Sequence, residues 1–125
     1  YIDYHYHTNS SQEELTKSLK SSIATQHIKH LEGYGIAIIE SMACGKPVLM
    51  HRQMAQNKSL MNWSIESVTA LFFESKPEYI AKLKALYDSK EYRHFLQYTT
   101  SSVIRQIIDN DAETEKLGHF LNNLV

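Results

Sequence analysis

The stretch "EGYGIAIIESMACGKPV", Glu32–Val48, reads as three pieces in a row. A glycine-bearing loop comes first, then a helix, then the start of a strand. Gly33 and Gly35 allow a sharp backbone turn and a close approach by a ligand. Ile36, Ile39 and Ala43 fall at helical spacing, so an amphipathic helix is expected from about Gly35 with these three on its apolar face. Gly45 ends it as a C′ glycine, and Pro47 prevents its continuation. "PVLM" then makes a buried strand. A helix feeding directly into an apolar strand is the unit from which parallel α/β sheets are built.

The flanking segments repeat that alternation. Upstream, "IDYHYH" alternates with Ile2, Tyr4 and Tyr6 on one face, predicting a strand at Ile2–His7. Ser11 and Glu14 stand at capping-box spacing, and Leu15 and Leu19 lie a turn apart, so a helix is expected over Ser11–Lys20. "SSIATQHI" predicts a second strand at Ile23–His27. Downstream, "HRQMAQNKSLMNWS" reads as a loop and a short helix. "SVTALFF" predicts a fourth strand at Ser67–Phe73. In "SKPE", Ser75 caps a helix, Pro77 suits its first turn and Glu78 completes the signature. Tyr79, Leu83 and Leu86 form its core stripe. Residues 89–125 read as two helices broken near Asp109–Asp111. The last carries Leu117, Phe120, Leu121 and Leu124 on one face, suited to docking on its own sheet, on another domain or on a partner. The whole is an α/β, Rossmann-like parallel sheet flanked by helices, with right-handed crossovers and C-terminal helices. Residues 1–125 make a single, partial domain.

Composition narrows the partners. Thirteen Lys and Arg face fourteen Asp and Glu, a balance that gives no broad basic field for nucleic acid. Cys44 is the only cysteine, so no intrachain disulfide can form and a reducing, cytoplasmic setting is expected. Peripheral membrane association of a longer protein is compatible with this. No apolar run reaches the roughly 18 residues of a membrane span. The start has neither the charge nor the apolar run of a signal peptide. It lacks an initiator methionine, which suggests a fragment or processed piece.

Sheets of this kind bind ligands beyond the carboxyl ends of their strands, and the Glu32–Gly35 loop follows such an end. The helix opening near Gly35 offers free N–H groups and a positive dipole end to a phosphate. Two carboxylates bracket it. Glu40 stands roughly 7 Å along the axis, and Glu32 stands before the loop. Ionised carboxylates accept hydrogen bonds only, so hydroxyl groups suit them. A ligand with hydroxyls at both ends and phosphates between fits all three parts, which describes a nucleotide diphosphate sugar. Glu40 read alone is an ordinary solvent-facing helix residue. Its register with Glu32 and two glycines reverses that reading.

The same seventeen residues resemble the donor-site signature of retaining glycosyltransferases with the two-Rossmann-domain (GT-B) architecture, family 4 in particular. The matching features are Glu32 and Glu40 with seven residues between, Gly-aromatic-Gly at Gly33–Gly35, and Gly-Lys-Pro-Val. The resemblance extends more loosely to Glu13–Leu15 and to Val68–Leu86. It implies a C-terminal donor-binding domain that transfers a hexose-type sugar, with retention, from a UDP- or GDP-sugar to a glycan, lipid or protein acceptor. It assigns Glu32 to the donor sugar as the catalytic-site carboxylate, more as a positioner than as a nucleophile. The backbone around Gly33, Tyr34, Gly35 and Ile36 is assigned to the sugar and diphosphate, and Glu40 to the ribose hydroxyls. No metal or other cofactor is implied. The N-terminal acceptor domain, and the Arg and Lys that usually hold the diphosphate, would lie upstream or on a partner chain. The isolated chain is therefore expected to be inactive and to self-associate through an uncovered edge. "HIKHL" and "HRQMAQN" stand where the family usually has a Pro-Ser-like stretch and a Gly-rich loop.

Other readings compete at single residues. His5 with His7, and His27 with His30, have metal-pair spacing but no third and fourth ligand at fixed distance. His27 and His30 also lie close enough to the Glu32 loop to touch a sugar or phosphate. Lys46 is placed to satisfy the last carbonyls of its helix, and Arg52, after a strand end, is the better-placed phosphate cation. Cys44 reads as a core thiol. The alternative for the whole chain is a non-catalytic Rossmann-like interaction module, or one subunit of a split transferase.

Overall fold

The computed structural model describes residues 8–28, 35–56 and 58–124. The strand expected at Ile2–His7 lies outside the described residues, as do Glu32, Gly33 and Tyr34. The described chain runs α1 (Gln12–Ser21), β1 (Thr25–His27), α2 (Ile36–Ala43), β2 (Val48–His51), α3 (Arg52–Ala55), α4 (Lys58–Met61), β3 (Ala70–Phe73), α5 (Lys76–Asp88), α6 (Lys90–Ile107) and α7 (Asn110–Asn122). The three strands form a parallel sheet in sequence order, β1-β2-β3. Thr25 pairs with Val48, and Val48 with Ala70.

Both faces of this sheet are covered, as continuous apolar strands require. Val48, Met50, Ala70 and Phe72 point to one layer, where they pack with Ile38 and Met42 of α2, Met54 of α3, Leu60 of α4 and Ile104 of α6. Leu49, Leu71 and Phe73 point to the other, where they meet Leu86 of α5 and Leu96 of α6. The two connections, β1-α2-β2 and β2-α3-α4-β3, thus lie on the same face. Strands added in one direction with crossovers of one hand must place them so.

The caps are built as the sequence predicts. Ser11 Oγ accepts from the Glu14 N–H at 3.2 Å, and Glu14 Oε2 accepts from the Ser11 N–H at 2.7 Å. Gly45 is left-handed at φ 73°. Its N–H donates to Met42 O at 2.9 Å and the Lys46 N–H to Ser41 O at 3.0 Å, which is a Schellman ending. A side chain at Gly45 would also crowd α6, since a Cβ there would stand 3.4 Å from Gln97 O. Asp109 caps α7 through the Ala112 N–H, so the break in the C-terminal helices falls where expected.

Several expectations need correction. The buried face of α2 is Ile38, Ser41 and Met42; Ile36 and Ala43 are exposed, and Ile39 packs only partly. On α5, Leu86 is buried, but Leu83 opens to solvent and Tyr79 is half-buried. The second strand is shorter than Ile23–His27, starting at Thr25. The last strand begins at Ala70 rather than Ser67, because Ser67–Thr69 is a turn with Ser67 at φ 60°. The N–H groups of Val68, Thr69 and Ala70 all donate to Ile65 O. The Thr69 hydroxyl donates to Trp63 O and accepts from the Ile65 N–H. From α6, the hydroxyls of Thr99 and Thr100 donate to Val68 O. Local side-chain hydrogen bonds here outcompete β-propensity. The face Leu117, Phe120, Leu121 and Leu124 of α7 is exposed and does not dock on the sheet.

Candidate donor site

The site is built on α2. Its N-cap is Gly35, buried and left-handed at φ 81° and ψ 39°, a conformation that disfavours any residue with a Cβ. Gly35 O accepts from the N–H groups of Ile38 and Ile39. The N–H groups of Ile36 and Ala37 have no acceptor among the described residues. Among the described residues they are orphan donors, at the positive end of an eight-residue helix.

Glu40 lies one turn further on, on the same side of α2 as Ile36. It is half-buried, and its carboxylate makes no hydrogen bond or ion pair with any described residue. Ile36 itself is 64% exposed, which leaves a large apolar side chain uncovered beside the orphan amides. The sequence therefore folds α2 with its apolar stripe inward and its Ile36–Glu40 side outward. Of the expected site residues, Gly35, Ile36 and Glu40 are brought together. Glu32, Gly33 and Tyr34 lie outside the described residues.

Arg52 is not a free phosphate cation. Its Nε is 2.7 Å from Glu74 Oε1, and its terminal nitrogen is 3.6 Å from Glu66 Oε2. The guanidinium lies over Phe72, 5.6 Å from the ring centre. Glu66 extends the network. It also binds Lys82 Nζ at 2.9 Å and accepts from the Phe72 N–H at 3.2 Å. Glu78 stands 3.7 Å from Lys82 and accepts from the Glu74 N–H at 2.8 Å. That backbone bond, ahead of the Lys82 and Arg52 charges, holds the Glu78 carboxyl below its ordinary range. The sequence reading had missed Glu66 and Lys82, which join β3 to α5. Their separation of sixteen residues is not a helical or strand period, so only the fold reveals the pair.

His51 is also committed. Its Nδ1 accepts from the Gln53 N–H at 3.2 Å and so caps α3, while its ring packs edge-on against Phe73 at 5.7 Å. Phe73 continues the stack to Tyr79 at 5.1 Å, and the Tyr79 hydroxyl donates to Gln26 Oε1 of β1. This aromatic line braces the carboxyl ends of all three strands. Cys44 is half-buried at the far end of α2 and is not a core thiol. Among the described residues, no group of three or more His, Cys, Asp or Glu is arranged to hold a metal, and no helix is long and apolar enough to cross a membrane.

A parallel sheet flanked by helices, with a glycine-capped helix at its carboxyl edge, defines a Rossmann-like α/β domain. The family model of glycosyl transferases group 1 matches residues 3–102, and the chain belongs to that family. No curated protein and no solved structure matches it.

Proposed function

We propose that this chain forms the donor-binding part of a retaining glycosyltransferase that uses a nucleotide diphosphate sugar. The observation that carries the reading is the Glu40 carboxylate, half-buried and unpartnered among the described residues, one turn behind the orphan N–H groups of Ile36 and Ala37. An acceptor-only group behind a pair of donors suits a ribose attached to a diphosphate. The helix end stabilises the phosphate charge that grows as the sugar leaves, without a cation being required for that step. Glu32, which precedes Gly33 in the sequence, accepts from the hydroxyls of the donor hexose and fixes its orientation. Tyr34, between Gly33 and Gly35 in the sequence, is assigned with them to the sugar and diphosphate. The acceptor hydroxyl forms the new bond to the anomeric carbon on the face from which the diphosphate departs. That same-face attack retains configuration, and the hydroxyl's proton passes to the leaving phosphate oxygen. The acceptor-binding wall and further basic residues for the diphosphate belong to a domain or partner outside this chain.

Titration calorimetry with UDP, GDP and their hexose conjugates tests the proposal, using the protein together with its acceptor domain. One nucleotide should bind selectively. Glu40→Gln should weaken it by roughly 1–3 kcal/mol, the scale of a hydrogen bond to a charged group. Unchanged affinity in that variant would turn the carboxylate away from the ribose, and no binding by any nucleotide would favour a non-catalytic module.

A further inference from the structure

The opposite end of α2 holds a second basin, roughly 12 Å along the helix from the orphan amides. It is an open cavity of about 360 Å³ between the α2 terminus, the end of α1 and one side of α6. Lys20, Lys46 and Arg105 line it, together with Cys44, Gln97 and Ser101, and no carboxylate of the described residues does. Lys20 stands in the last turn of α1 and Arg105 in that of α6, where they offset negative helix ends, and with Lys46 they gather three cations at one cavity.

Lys46 is the unusual member. It is only 8% exposed, yet it has no acidic partner among the described residues. Burial lowers the pKa of its ammonium, opposed in part by the neighbouring Cys44. Its backbone N–H completes the Schellman ending of α2, but that task needs no lysine side chain. Most of the last helix carbonyls are likewise met by backbone donors. Those of Glu40, Ser41 and Met42 already accept from the N–H groups of Cys44, Lys46 and Gly45. The cavity is open, so its cations are within reach of an anion that enters it.

We propose that this basin is a binding site for a phosphate-type oxyanion, inorganic phosphate or the phosphoryl group of a small monoester. Lys46 forms its floor, and Lys20 and Arg105 close over it from α1 and α6. The Gln97 amide supplies a neutral donor, and the Ser101 hydroxyl, which donates to Tyr98 O at 3.4 Å, would turn to supply another. A guanidinium and two ammonium groups match the charge and geometry of a phosphate dianion. The site is distinct from the donor site because it uses the other end of α2 and shares none of its residues.

The test is an amide chemical-shift titration of the 125-residue chain with inorganic phosphate and with a hexose phosphate. Chloride at matched ionic strength and the neutral hexose serve as references. Saturable shifts at Cys44, Gly45, Lys46 and Ser101 with both phosphates, and with neither reference, are expected. Lys46→Met and Arg105→Gln should each weaken the phosphates about ten-fold, the loss of one charge-assisted hydrogen bond. Should Lys46→Met fail to fold, Arg105→Gln and Lys20→Gln carry the test, because both side chains are exposed. Linear, non-saturating shifts, shifts confined to the Gly35 end of α2, or equal affinity in the charge-removed variants would overturn the proposal.

Discussion

Arg52 Nε stands 2.7 Å from Glu74 Oε1, which ties the residue following β2 to the residue following β3. The bond closes the carboxyl edge of the sheet between neighbouring strands. It also uses up a cation whose position in the sequence suggested a phosphate ligand.

Arg52→Gln should therefore alter stability and not ligand binding. Its side chain is 40% exposed and that of Glu74 63%, so the pair is screened. A loss of roughly 0.5–1 kcal/mol is expected, shrinking as salt is added. Urea unfolding at low and high sodium chloride measures it. A fall in nucleotide affinity in the same variant would return Arg52 to the diphosphate.

Glu32→Ala should lower turnover far more than it lowers affinity for the bare nucleotide. The hexose is absent from UDP and GDP, and correct placement of the reacting groups is a large part of catalysis. Steady-state kinetics and nucleotide titration on the same preparation separate the two effects. Equal losses in both would contradict a sugar-positioning role.

Thr69→Val should destabilise the chain by roughly 1–3 kcal/mol despite its matched shape. The threonine is fully buried, and its hydroxyl joins Trp63 O to the Ile65 N–H. Valine would leave both backbone groups without that partner in the turn that launches β3. Denaturant unfolding should show a lower midpoint, and an unchanged one would mean that the turn is held by the Ile65 carbonyl alone.

Glu78 should contribute an acid-sensitive part of stability. Its folded-state pKa is lowered from 4.5, first by the Glu74 N–H and then by Lys82 and Arg52. A depressed carboxyl pKa stabilises the fold above the unfolded value, and that contribution is lost as pH falls through the folded value. Glu78→Gln should thus be less stable than the parent at pH 7, with the gap closing below about pH 4. Melting curves across that range check the sign. A gap that stays constant into acid would show that the carboxylate charge contributes nothing.

The alternation of strands and helices was legible because caps and apolar runs are local signals. Ser11 with Glu14, and Gly45 before Pro47, mark α1 and the end of α2 without tertiary information. The α2 face was not legible for the same reason. "IAIIESMA" is apolar on several sides, so spacing alone offers one stripe through Ile36 and another through Ile38. Only the sheet decides, by covering Ile38 and Met42. The start of β3 was misread because Val68 and Thr69 favour strands in isolation, whereas the hydroxyl of Thr69 itself and those of Thr99 and Thr100 from α6 hold a turn there. Of the candidate site, Glu40 and Gly35 could be found from their register. The Lys20, Lys46 and Arg105 basin could not, since its members meet only when α1 and α6 pack beside α2.

Leu96 and Ile104 belong to a single helix, α6, but to opposite halves of the core. That arrangement makes the two apolar layers one cooperative unit. Neither face of the sheet can open without loosening the helix that seals the other, so heat or urea should melt both in a single transition. Severing the chain between α5 and α6 would uncover both faces at once. Trimming α7, which fully buries none of its described side chains, would leave that unit intact. The eighteen residues of α6 are thus the segment on which survival of the whole sheet depends.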